Sequence, residues 1–146
     1  MSLVQAVSLV VVGFVACAEF GSYAFVHPVI RRLPVREQLV VEQGLLGTFG
    51  RFMPAAMTLT PVLAGSCALA AEGRARALAQ SATAVTLLAL VTTIAVNVGI
   101  NRATGRWDVD HPPANWAATR RRWDTFQGVR SWLLLGGFVL LAAATV

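Results

Sequence analysis

A chain of 146 residues with 56% hydrophobic and only 13% charged side chains is too apolar for an ordinary soluble domain, where about a quarter of residues are charged. All twelve basic residues are arginine, against seven acids; in so apolar a chain this excess reads as membrane topology, and no nucleic-acid partner is expected. A membrane-spanning helix needs roughly 20 mostly apolar residues, and four such stretches fit with little left over, so residues 1–146 form a single domain.

The first predicted helix covers residues 3–26. It lacks a basic start and its apolar run is long for a signal peptide, so it reads as a retained span. His27-Pro28 stops it, because proline disfavours helix at the residue before it. Residues 29–51 carry Arg31, Arg32, Arg36, Glu37, Glu42, Gln43 and Arg51 among apolar positions. That segment has helical periodicity but is too polar to span, and reads as an amphipathic helix along the membrane surface. The second span covers residues 52–71 and contains Pro54 and Pro61, which membrane helices tolerate where neighbours satisfy the freed backbone. A tight turn, Glu72 to Arg76, leads to the third span, residues 77–101.

A loop rich in turn residues follows, from Arg102 to Pro113. Residues 114–125, with Trp116, the run Arg120-Arg121-Arg122 and Trp123, form a second amphipathic segment, and residues 126–146 form the fourth span. The expected fold is therefore all-α: an integral membrane, antiparallel four-helix transmembrane bundle with interfacial segments after the first helix and before the fourth. Ten arginines (31, 32, 36, 51, 102, 106, 120, 121, 122 and 130) fall on one side and only Arg74 and Arg76 on the other. The positive-inside rule then places both long loops in the cytoplasm and both termini outside, in a multi-pass protein of the cell membrane. Trp107, Trp116, Trp123 and Trp132 gather near that same interface as an aromatic belt. Arg120 to Arg122 read as a topology signal facing anionic lipid.

Glu19 is the most informative residue. It lies about seven residues inside the first span, roughly 10 Å deep, where a carboxylate costs about 2.5–3.5 kcal/mol to insert. Such a group faces the bundle interior and needs a partner. Glu19, Tyr23 and His27 recur at i, i+4 and i+8 and form a stripe. Asn97 and Asn101 form an i, i+4 pair at the end of the third span. Gln127 and Arg130 open the fourth. Glu19, Asn97 and Arg130 thus lie at comparable depth on three helices, and a Glu–Arg pair with amide support satisfies all three.

His27, Glu19, Arg130, Asn97 and Asn101 are the candidate catalytic residues, with Tyr23, Gln43, Trp123 and Gln127 as candidate substrate contacts. Cys17 and Cys67 show no metal-ligand spacing and no disulfide is expected. Met53 and Met57 at helical spacing read as packing. No GxGxxG, phosphate-binding loop, HExxH or paired CxxC occurs. Small residues such as Gly13, Gly21, Gly136 and Gly137 permit close helix contact and a homo-oligomer without specifying its number.

Residues 23–28 (Tyr-Ala-Phe-Val-His-Pro), Arg32-Leu33-Pro34, Asn97-Val98-Gly99-Ile100-Asn101, Trp107-Asp108, Pro112-Pro113, Trp116, Arg122-Trp123 and Val129-Arg130 together carry a resemblance. Over nearly its whole length the chain resembles the anthrone oxygenase-like membrane family, most specifically in the block from the paired asparagines through the tryptophans to Val129-Arg130. The resemblance implies a four-helix membrane protein that oxidises anthrones to anthraquinones in aromatic polyketide biosynthesis, or a related oxygenation.

Its partners are then a lipophilic small-molecule substrate, dioxygen and the lipid bilayer. On this reading His27 or Glu19 takes an acidic C–H proton, while Arg130 with Asn97 and Asn101 stabilises the enolate or phenolate oxygen, with no cofactor required. The competing expectations are a copper or iron oxidoreductase, its metal held by His27, Glu19 and either Glu42 or His111; a small proton-coupled transporter using Glu19; and a non-catalytic membrane subunit.

Overall fold

A computed structural model describes all residues, 1–146. The chain is all-helical: 86% helix, no strands, and four helices long and apolar enough to cross a membrane. The first runs Leu3–Ile30, comprising α1 (Leu3–Gly21), a π-helical turn (Ser22–Val26) and α2 (His27–Ile30). A separate helix, α3 (Val35–Gly47), precedes the second span, α4 (Phe49–Ala70). The third span, Gly73–Thr104, comprises α5 (Gly73–Thr92), another π turn (Thr93–Asn97) and α6 (Val98–Thr104). The fourth is α7 (Trp116–Thr145).

The helix ends follow from local chemistry. Ser2 caps α1 in a reciprocal box, its hydroxyl accepting from the Gln5 backbone N–H while the Gln5 side chain accepts from the Ser2 backbone. Gly73, at φ +55°, takes the left-handed conformation that the two-residue connection between α4 and α5 requires. Within α4, Pro61 deprives the Met57 carbonyl of its usual donor, and the Thr60 hydroxyl supplies one at 2.8 Å.

Several boundaries differ from the sequence expectation: the second span begins at Phe49 and the third at Gly73, so most of the expected Glu72–Arg76 turn is helical, and α3 starts only at Val35. His27-Pro28 does not stop the first helix. The π turn at Ser22–Val26 widens the chain just where the Pro28 ring would meet the carbonyl four residues earlier, so the helix continues to Ile30. The predicted segment 114–125 is no separate element; α7 runs unbroken from Trp116. The third span likewise continues past Asn101 to Thr104.

Two buried clusters stack along the bundle. Val12, Ala64, Cys67, Ala68, Ala79, Ala82 and Leu141 form one; Val15, Ala16, Met53, Ala56, Met57, Ala89 and Leu134 form the other. Ala68 and Ala79 share the first cluster, and Met57 and Ala89 share the second. Alanine predominates because spans in lipid gain most from close van der Waals approach. A Cβ on Gly137 would lie 2.6 Å from the Thr86 methyl, which fixes glycine where α7 crosses α5.

Candidate functional site

Beyond the second cluster, toward the arginine-rich end, the helices enclose a cavity of about 260 Å³. Its polar wall comes from α7, where Arg120, Trp123, Gln127 and Arg130 recur at spacings of three, four and three and so share one face. All four side chains are buried. Facing them from the first span are Glu19 and His27. In a uniform α-helix residues eight apart point about 80° from each other. The π turn between them holds an extra residue and winds back most of that difference, bringing both to the cavity.

Glu19 is fully buried, and its Oε2 lies 2.8 Å from Arg130 Nη2. The Gln127 amide donates to the same carboxylate oxygen at 2.9 Å, and its carbonyl oxygen accepts from Arg130 Nη2. The expected Glu–Arg pair is present, with its amide supplied by Gln127. Glu19 Oε1 and Arg130 Nε are buried without hydrogen-bond partners.

A second ion pair lies nearer the arginine-rich end. Arg120 Nε sits 2.9 Å from Glu42 Oε2, with both side chains about 5% exposed or less. Gln38 donates to Glu42 Oε1 at 3.0 Å. Burial pushes the Glu42 carboxyl above its ordinary range, an effect opposed by Arg120 and by the Gln38 hydrogen bond. Arg120 also stacks over Trp123, 4.3 Å from the ring centroid, and donates to the Thr104 hydroxyl at 3.4 Å. Arg120 therefore does not face lipid as a topology signal; a buried carboxylate on α3 draws it inward.

Trp123 is fixed between these pairs. Its indole N–H donates to Asn101 Oδ1 at 2.7 Å, and its backbone carbonyl accepts from the Asn97 amide at 3.3 Å. The two asparagines thus hold Trp123, and of the two only Asn101 lines the cavity. The His27 ring packs 4.7 Å from the Trp123 ring, centroid to centroid, and its Nδ1 is buried without a partner.

Other expected residues lie elsewhere. Tyr23 turns away from the Glu19–His27 face and packs against Gly128 in a separate shallow depression with Asp124 and Trp132. Gln43 donates to the Thr104 and Trp107 carbonyls, tying α3 to the end of the third span. His111 is exposed in the loop beside Asp108, 3.3 Å from its carboxylate. No three His, Cys, Asp or Glu side chains are grouped to hold a metal ion. Arg120 was recoverable from the sequence, since it stands ten residues before Arg130 on the same helical face. Its partner Glu42, on a separate helix, was not.

The family model described as anthrone oxygenase matches residues 46–140. The chain belongs to the anthrone oxygenase family. No curated protein and no solved structure matches it. The segment matched to the anthrone oxygenase family contains the α7 wall and both asparagines; Glu19, His27 and Glu42 precede it. Family membership supports oxygenase-like activity in a multi-pass membrane protein.

Proposed function

We propose that this protein is a membrane-embedded oxygenase that converts a lipophilic anthrone-like aromatic to the corresponding quinone with dioxygen. The observation that carries this reading is an unpartnered imidazole facing two buried arginines, each paired with a carboxylate, across one cavity. Glu19 is engaged by Arg130 and Gln127, whereas His27 has no carboxylate beside it and a free ring nitrogen. His27 is therefore the general base, and Glu19 is the positioning residue that holds Arg130. Arg130 and Gln127 face the oxygen on which negative charge develops, in a medium where such donors act strongly because water is excluded. Asn97 and Asn101 serve indirectly by fixing the Trp123 ring against which a flat substrate stacks.

His27 removes one proton from the CH2 carbon opposite the ring ketone, and the resulting phenolate-like anion is held by Arg130. The anion reduces dioxygen and forms a C–O bond at that carbon, giving a hydroperoxide once a proton returns. Loss of the second C–H proton with cleavage of the O–O bond leaves a carbonyl and releases water. One oxygen atom enters the product, the other leaves as water, and no external reductant is consumed.

The arginine-rich end faces the cytoplasm on this reading. An exchanger using Glu19 is disfavoured because its carboxylate is already neutralised by Arg130. The copper or iron alternative has no grouped ligand set, with His111 in the loop and Glu42 committed to Arg120.

The test is turnover of anthrone by purified protein under ¹⁸O₂. The proposal expects one labelled oxygen per anthraquinone, and activity that His27→Ala abolishes and chelators leave intact. Label-free product, or full activity in His27→Ala, would overturn it.

A further inference from the structure

The cavity is closed on three sides. The cluster around Val15, Met57 and Leu134 seals it toward the far end of the bundle. Glu19, Gln127 and Arg130 close the contact between α1 and α7. Toward the arginine-rich end α3 lies across it, with Leu45 and Leu46 in the wall and the Glu42–Arg120 pair beneath.

The fourth side differs. α4 packs along α5, α1 and α3, but no comparable packing joins it to residues 93–104, which lean on α7 and α3 instead. The second and third spans therefore part at the level of the second π turn. The residues bordering this gap line the cavity and are also exposed on the outer surface: Pro54 and Thr58 from α4, and Ile94, 61% exposed, from the third span. Thr58 lies nine residues into α4 and Ile94 ten residues before the end of α6, roughly 14–15 Å along each helix. The hydrocarbon core is about 30 Å thick, so the opening meets acyl chains and not water. Its rim is effectively apolar, because the Thr58 hydroxyl already donates to the Pro54 carbonyl at 2.8 Å.

We infer that this gap is a lateral doorway, through which a planar, bilayer-dissolved ligand enters the cavity directly from the membrane between the second and third spans. The inference rests on the proposed function for the ligand's identity but not for the route. Polarity is layered to suit it, with an apolar mouth toward lipid and charged groups on the opposite wall. A ligand with oxygen at one edge and hydrocarbon elsewhere enters oxygen first and meets Arg130, Arg120 and His27 only after leaving the lipid. The layering also keeps those charges out of hydrocarbon while leaving them reachable from it.

The test follows 9,10-anthraquinone, a flat quencher of indole fluorescence, as it moves from phosphatidylcholine vesicles to the protein in nanodiscs, read by stopped flow on the tryptophan signal. Phenylalanine at both Thr58 and Ile94 narrows the opening without touching the charged wall. Association and dissociation should both slow about tenfold, the effect of roughly 1.4 kcal/mol in barrier height, leaving Kd unchanged. Val62→Phe and Leu88→Phe, exposed to lipid but outside the cavity, should leave the rates alone. Ile94→Ala widens the mouth and should speed association, which decides the matter if the double variant does not fold. Unaltered rates in the variants would overturn the doorway, and so would a Kd that weakens with association unchanged, since these residues would then be cavity wall only. Because the assay needs no turnover, a protein with gated binding and no oxygenase activity would sink the proposed reaction and leave the doorway standing.

Discussion

The two halves of the bundle solve opposite problems with the same four helices. In the half around Val12, Ala68, Ala79 and Leu141, small side chains let the helices approach closely and pack without a cavity between them. In the other half the spans hold apart around a cavity, and two ion pairs occupy its wall. A buried charge pair seldom adds stability over apolar packing, because the desolvation of both ions offsets their attraction. The open half is thus retained at a cost in stability that the closed half makes bearable, and it is the half in which the proposed chemistry is placed.

That contrast can be broken at several points. The largest effect is expected from His27→Ala, which removes the proposed base and should lower turnover by about 10²–10⁴-fold while the thermal unfolding midpoint barely moves. Arg130→Met leaves the Glu19 carboxylate buried and uncompensated; it should destabilise the protein by about 3–5 kcal/mol, and the double variant with Glu19→Gln should recover most of that loss. Unfolding in detergent with circular dichroism measures both. In the closed half, Gly137→Val drives a side chain into Thr86 and should cost about 1–3 kcal/mol, with turnover per folded molecule unchanged. The smallest effect belongs to Arg36→Ala, whose partner Asp110 shares its exposure to solvent; no shift in the unfolding midpoint is expected.

Much of this division is visible in the residues themselves. An acid in the first span and an arginine at similar depth in the fourth had to meet, because neither tolerates hydrocarbon alone, and they do. The spans were legible for the same reason: apolar length leaves little freedom. Less was legible where geometry departs from a uniform helix. Periodicity alone puts Tyr23 on a stripe with Glu19 and His27, yet only Glu19 and His27 reach the cavity, while Tyr23 packs on Gly128 outside it. A run of three arginines suggests a charged surface, yet Arg120 turns inward to a glutamate seventy-eight positions earlier in the chain. Pairing between distant segments of this kind leaves no periodic trace.

The π turns of the first and third spans have a further consequence for how such a protein can change. Each acts as a phase shift: residues before it and residues after it follow separate angular registers within one continuous rod. Substitutions on the face that borders the cavity, on one side of the shift, need not disturb interdigitation on the other. Removing a single residue from positions 22–26 would let the rod rewind as ordinary α-helix with Glu19 and His27 seven residues apart, only about 20° from each other, whereas inserting one residue there would swing His27 by about 100° and aim it away from the polar wall.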